Sequence, residues 1–192
     1  MTKSTIRIFD LCRTGTHALG PGLRYAIWVQ GCHRRCKGCI TPESRLFEGG
    51  TEIDIDSLVS DIVNRDGIDG ITISGGEPFL QAVELFSLLK KVLCQKPNLT
   101  VIIYTGFVRE ELYKLPEASN LLALTDILID GEYVEELNDN KGIRGSSNQR
   151  VIPLTNRLED YLPMMIGGRR FVERVASCES TFTTIGIPIK IK

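Results

Sequence analysis

Short apolar runs rich in β-branched residues alternate along this chain with segments whose apolar residues recur at helical spacing. That rhythm restricts the available folds more than any other feature. The runs are Tyr25 to Gln30, Ile71 to Ser74, Leu99 to Tyr104 and Asp126 to Ile129, with a shorter one at Ile6 to Leu11. Between them, Ile55, Leu58, Val59, Ile62 and Val63 read as one face of a helix with Asp54 as its N-cap. Phe79, Val83, Phe86, Leu89 and Leu93 read as the face of a second, stopped by Pro97. Val108 to Leu115 and Leu121 to Leu124 suggest shorter helical pieces. Alternating strands and helices predict an α/β fold with a mostly parallel sheet. The chain has 192 residues, short of the ~250 typical of a closed eight-stranded barrel. The expected form is therefore a partial, open β/α barrel. After Gly131 the rhythm is lost: Glu132 to Ser147 is polar and broken by Gly142 and Gly145. Gln149 to Leu154 reads as an edge strand ending at Pro153. Thr181 to Ile191 reads as a terminal hairpin around Gly186 and Pro188. The division expected is a core over residues 1–155 and a short, irregular, β-rich C-terminal tail over 156–192, packed on the same domain.

Charge excludes some partners. The 23 Lys+Arg against 24 Asp+Glu leave a net charge of −1, so no overall field favours nucleic acid or an anionic membrane. No apolar run approaches the ~18 residues of a membrane span. Met1 to Asp10 alternates polar and apolar residues, unlike a secretory signal. The expected location is the cytoplasm, where the six cysteines read as metal-binding, catalytic or buried rather than disulfide-paired. Cys32, Cys36 and Cys39 fall within eight residues, while Cys12, Cys94 and Cys178 are scattered and read as buried or incidental.

A Cys-x3-Cys-x2-Cys run can bring its three thiols to one inorganic centre, and thiolates suit zinc or an iron–sulfur cluster. Structural zinc wants four ligands. His33 adjoins Cys32, and neighbours rarely both ligate one ion, so a zinc site needs a distant fourth ligand such as Cys12 or Cys178. Three ligands without a fourth suit a four-iron cluster with one iron open. Gly75-Gly76-Glu77-Pro78 follows a strand, at the sheet edge where α/β proteins bind ligands. Its glycines admit close approach of a ligand to the backbone, its proline fixes the exit, and Glu77 can accept hydrogen bonds from a cationic amine. A tight strand–helix turn accounts equally for the tetrapeptide taken alone.

Together, in this order, the two motifs resemble the radical S-adenosylmethionine superfamily. The resemblance implies that Cys32, Cys36 and Cys39 hold a 4Fe–4S cluster. It implies that the open iron chelates the methionine moiety of S-adenosylmethionine, and that the Ser74-Gly75-Gly76-Glu77-Pro78 turn receives its amino group. Gly20-Pro21-Gly22-Leu23-Arg24, Tyr104-Thr105-Gly106, Asp126 to Gly131 and Arg144 to Arg150 are similar to the activating enzymes of anaerobic ribonucleotide reductase. That likeness runs from Thr5 to Ile152. It implies reductive cleavage to a 5′-deoxyadenosyl radical, which removes hydrogen from a glycine Cα of a partner. The implied partners are a glycyl-radical enzyme, such as the large subunit of that reductase, and a flavodoxin- or ferredoxin-like electron donor. The alternatives are a radical enzyme acting on a peptide or small molecule, and a non-catalytic metal-binding interaction module.

Some assignments follow residue by residue. Tyr104 and Thr105 are assigned to the cofactor pocket, with a core role as the alternative for Tyr104. Asp130 is assigned to ordering the S-adenosylmethionine site or a monovalent cation, with a strand-end cap as the alternative. Arg144 to Arg150 is assigned to a loop contacting cofactor or partner, with a solvated turn as the alternative. Arg34, Arg35 and Lys37 put positive charge beside the cysteines, and His17 and Trp28 read as structural. Ile40 and Thr41 stand where the family has an aromatic residue and Asn. Glu132 stands where related activases carry Lys, so a carboxylate contact is not expected of it.

Overall fold

The computed structural model describes residues 4–170, 172–178 and 181–189. In chain order the elements are β1 (Thr5–Thr16), β2 (Arg24–Val29), β3 (Thr51–Asp54), α1 (Ile55–Val63), β4 (Gly70–Gly75), α2 (Ala82–Gln95), β5 (Thr100–Tyr104), α3 (Arg109–Leu112), α4 (Ala118–Leu122), β6 (Ile127–Asp130), β7 (Arg150–Pro153), α5 (Leu162–Gly167), β8 (Glu173–Cys178) and β9 (Thr181–Ile185). Seven strands form one sheet in the order β3-β1-β2-β4-β5-β6-β7, and β8 and β9 form a separate hairpin. The central strands β2, β4, β5 and β6 are parallel. The flanking pairs β1–β2, β1–β3 and β6–β7 are antiparallel. Among the described residues β3 and β7 remain separate edges, so this is an open α/β sheet.

Side-chain alternation gives the parallel strands two different faces. Tyr25, Ile27, Val29, Ile71, Ile73, Val101, Ile103 and Leu128 point one way and pack under α1, α2 and α4 in the main core. Each such burial stabilises by roughly 1.5–3 kcal/mol. Ala26, Thr72, Ile102 and Ile127 lie in register across the other face. No long helix covers that side in the described residues. Cys12, Ala18, Leu19 and the hairpin's Ile185 pack on Ala26. Leu158 and Met165 pack on Ile102, Ile127 and Ile129.

Several boundaries depart from the sequence expectation. β1 runs to Thr16, well past Leu11, and β3 is an unforeseen edge strand lying against it. Asp54 caps α1 by accepting from Ser57 N–H at 2.9 Å. α2 buries Ala82, Leu85, Leu88, Leu89 and Val92, and Val83 is 58% exposed. Of the expected stripe, Phe79 and Leu89 are buried and Leu93 packs on the core, but Pro78–Gln81 is a 3₁₀ turn, so the α-helix starts three residues after Phe79 and Val83 falls outside its buried face. The tail contains α5, a short helix with Pro at its start. Its hairpin pairs Glu173–Cys178 with Thr181–Ile185, so the turn precedes the expected site at Gly186. Ile191 and the Cys178 side chain lie outside the described residues.

Arg24, wholly buried, closes the end of the sheet opposite the motifs. Its guanidinium donates to Thr72 Oγ1 (2.6 Å), Ile71 O (2.8 Å), Thr100 O (2.9 Å), Thr100 Oγ1 (3.0 Å) and Pro21 O (3.1 Å). Replacing it by an apolar chain would strand several buried acceptors, at about 1–3 kcal/mol for each one that water cannot reach. Arg24→Met is therefore expected to lose about 3 kcal/mol or more of stability in urea unfolding; a loss below about 1 kcal/mol would contradict this role.

Candidate functional site

The site starts from a junction of two parallel strand ends. Beyond β4, Gly76 N–H donates to Val29 O and Glu77 N–H donates to Gly31 O, each at 2.8 Å. Gly75 has a φ of 101°, in the region that favours glycine. A Cβ on Gly76 would overlap the Gly31 carbonyl and stand 2.9 Å from Ser44 O. The turn after β4 is thus pressed against the residue that begins the cysteine loop.

Glu77 is folded under this turn, 2% exposed. Its Oε1 accepts from Thr105 Oγ1 (2.7 Å) and Phe79 N–H (3.1 Å), and its Oε2 accepts from Gly106 N–H (2.8 Å). Burial pushes its carboxyl above the ordinary range, against the opposing pull of those donors. A carboxylate offers about four acceptor positions, so the protein's own donors leave one on Oε2.

The cysteine loop is closed by a 3₁₀ turn, Pro42–Arg45, folded back on its start. Gly31 N–H donates to Ser44 O (2.7 Å) and Cys32 N–H to Arg45 O (3.1 Å). Gln30 Nε2 donates to Glu43 O (2.9 Å) and Leu46 O (2.5 Å). Cys32, Cys36 and Cys39 are half-buried free thiols, and all three line one cavity with Ser74, Gly75, Gly76, Glu77, Tyr104 and Thr105. Burial, reinforced by Glu132, pushes Cys36 up to about 11, and burial also raises Cys32. These thiols bind metal only by giving up a proton that burial holds on.

Among the described residues no group of three His, Cys, Asp or Glu side chains is gathered as a single metal ion requires. Zinc–sulfur bonds of 2.3 Å would bring thiolates within about 3.8 Å of each other. Cys32, Cys36 and Cys39 all line one cavity, and three thiolates on one cavity wall fit an iron–sulfur cluster. Cys12, the candidate fourth ligand, is buried against Ala18, Leu19 and Ala26 and does not line the cavity. His33 stacks on Phe47, ring centroids 4.8 Å apart, and faces a neighbouring groove.

Tyr104 borders the cavity, and its hydroxyl donates to Ile143 O at 2.7 Å. Two residues singled out in the sequence lie off the cavity. Pro78 is buried behind the turn. Asp130 is fully buried, accepts from Arg109 N–H (2.7 Å) and Arg150 Nε (2.9 Å), and forms an ion pair with Arg150. It ties α3 and β7 to β6. From the stretch 144–150, Gly145 and Gln149 reach the cavity. Gln149 Oε1 accepts from Gly145 N–H and its Nε2 donates to Gly131 O, both at 2.8 Å, while Arg144 pairs with Asp139. The sequence reading missed Phe9, Asp10, Trp28 and Tyr133, and also Thr183 to Ile187 of the hairpin and the residues after it, all on the cavity wall. Period-two alternation could have put Trp28 on the same strand face as Ala26; the hairpin carried no readable signal.

A protein family described as a 4Fe–4S single cluster domain matches residues 18–152, which hold all of these motifs. Relatives at 30% identity or more cover most of that span. The chain belongs to the radical S-adenosylmethionine activases of glycyl-radical enzymes. Among these activases, the anaerobic ribonucleoside-triphosphate reductase-activating protein of Haemophilus influenzae is 34% identical over 140 residues, 69% of this chain and 88% of the relative. The protein of the same name from Escherichia coli K12 is 30% identical over 139 residues, 69% and 89% of the two chains. The pyruvate formate-lyase-activating enzyme of Staphylococcus epidermidis is 30% identical over 151 residues, 73% and 59%. In this activase, Gly76→Ala is expected to force the cysteine loop away from β4. Iron content after anaerobic reconstitution should fall at least severalfold, while α-helix content by circular dichroism is kept. Full iron loading would show that the junction tolerates a side chain.

Proposed function

We propose that this chain reductively cleaves S-adenosylmethionine and installs a glycyl radical on a large partner, of which an anaerobic ribonucleoside-triphosphate reductase is the best-supported choice. The relatives that cover most of this chain carry that reductase in their names, and a second relative is named for pyruvate formate-lyase. The observation that carries the reading is the meeting of three thiols and a buried carboxylate with one acceptor position left, on the wall of one cavity.

In this reading Cys32, Cys36 and Cys39 hold the 4Fe–4S cluster. When bound, the cluster would supply the one electron that breaks the S–C5′ bond of S-adenosylmethionine, releasing methionine and leaving the 5′-deoxyadenosyl group to abstract hydrogen from a glycine Cα. The chain's own residues bind and orient. Glu77 accepts from the N–H of the amino group of S-adenosylmethionine. Ser74, Gly75 and Gly76 present backbone to it, and Pro78 fixes their path from behind. Tyr104 and Thr105 border the same pocket. Thr105 holds Glu77 in place, and Asp130 acts from below by fixing the end of β6. The open sheet corresponds to a partial barrel whose missing wall admits the partner's glycine loop. In this reading the C-terminal extension, residues 156–192, belongs to the same unit as the core, which the packing of Leu158, Met165 and Ile185 supports. A flavodoxin- or ferredoxin-like protein supplies the electron, and the cytoplasm is the setting; no described helix is long and apolar enough to cross a membrane.

The decisive experiment is anaerobic reconstitution, reduction and addition of S-adenosylmethionine, with assay of 5′-deoxyadenosine and of a glycyl-radical electron paramagnetic resonance signal on added reductase. Both products are expected. A well-loaded, reduced protein that yields neither, with or without partner, would overturn the reading, and cleavage coupled only to a peptide or small molecule would change the substrate. Cys36→Ala is expected to lose the cluster, because two thiolates do not hold it firmly, and retention of full iron would remove that cysteine from the ligand set. Glu77→Gln is expected to keep the cluster and weaken S-adenosylmethionine binding by about 1.5–3 kcal/mol, the range for a hydrogen bond to a charged group. Unchanged affinity in equilibrium dialysis would refute the amino-group contact.

A further inference from the structure

Arg34 lies between Cys32 and Cys36 and is part of the cavity wall. Its guanidinium carbon stands 4.9 Å from the centroid of the Phe107 ring. The two terminal nitrogens reach Glu132 at 3.4 Å and Glu111 at 3.5 Å. Charge-assisted bonds normally close to about 2.7–2.9 Å, so both pairs are loose, and both carboxylates are about half exposed. Exposed, loose ion pairs contribute little. The Nε–H of Arg34 is buried and has no hydrogen-bond partner among the described residues.

That unused donor sits beside the unused acceptor. The Arg34 side chain crosses Gly106 so closely that a Cβ there would stand 2.5 Å from Nε. The N–H of the same glycine donates to Glu77 Oε2. One glycine thus separates a cation with spare donors from an anion with a spare acceptor position. An α-amino acid carries an ammonium and a carboxylate on one carbon, only a few ångströms apart. A carboxylate and a planar guanidinium at that spacing are complementary to it.

We propose that Arg34 binds the carboxylate of the methionyl group of S-adenosylmethionine, so that Arg34 and Glu77 together read its α-amino acid end. The assignment rests on the proposed function. Glu111 and Glu132 hold the guanidinium over Phe107 when the site is empty of ligand, and their loose pairs yield at small cost. Glycine at 106 is required because any side chain there would displace Arg34 from Glu77.

The test compares binding of S-adenosylmethionine and its decarboxylated analogue, by equilibrium dialysis, to cluster-loaded natural protein and to Arg34→Met. The natural protein is expected to prefer the carboxylate-bearing ligand. In Arg34→Met that preference should shrink about tenfold or more through weaker S-adenosylmethionine binding, with analogue affinity and iron content nearly unchanged. Arg34→Gln gives the same readout should the methionine variant fail to hold the cluster. Equal loss of both ligands, or an unchanged preference, would overturn the assignment while leaving the function intact. Cluster-loaded natural protein that takes up neither ligand would overturn the functional reading, and the Arg34 assignment with it.

Discussion

The rim of this protein depends on two backbone hydrogen bonds, from Gly76 to Val29 and from Glu77 to Gly31. They join the ends of adjacent parallel strands just where each strand gives way to a motif. Gly31 directly precedes Cys32, so the same bonds set the place of a thiol and of a carboxylate. Side chains contribute nothing to this contact, and the close approach leaves no space for one at Gly76. The relative position of the cysteine loop and Glu77 is therefore a property of the sheet, set by the β2–β4 register.

The unequal covering of the sheet explains why the cavity lies where it does. Helices α1, α2 and α4 occupy one face and complete the main core. The other face is covered by Leu158 and Met165, and by Leu19 and Ile185, which also line the cavity beside the strands' C-terminal ends. Polar side-chain ties then hold this rim together. Arg150 links Asp130 to Glu110, and its positive charge holds the Glu110 carboxyl down to about 2. Gln149 fixes Gly145 to Gly131. Long polar side chains thus do the work that helix packing does elsewhere.

Much of this arrangement was legible in the sequence because it rests on local signals. The four parallel strands are continuous apolar runs, as strands buried on both faces must be, and Asp54 and Pro97 mark helix ends by side-chain chemistry alone. The cysteine spacing and the Gly-Gly-Glu-Pro turn are contiguous, so their chemistry could be named before any fold was known. The features that were missed depend on distance along the chain. The start of α2 is set by the 3₁₀ turn that precedes it, and β3 exists only because β1 offers it an edge. Asp130 read either as a ligand-ordering residue or as a strand-end cap, and the partners that hold it, Arg109 and Arg150, lie 21 and 20 positions away. The hairpin's place on the cavity wall follows from the clasp of Glu173 on Thr16 and His17 N–H, more than 150 positions earlier in the chain, which no periodicity announces.

Arg24 stands at the foot of the same strands whose tops line the cavity. Its anchoring bonds go to backbone oxygens and threonine hydroxyls of β4 and β5 and to Pro21, none of which reaches the cavity. Durability and reactivity are thereby housed at opposite poles of one scaffold. Evolution, or a protein engineer, can exchange residues such as Ile40 around the mouth without loosening the footing below.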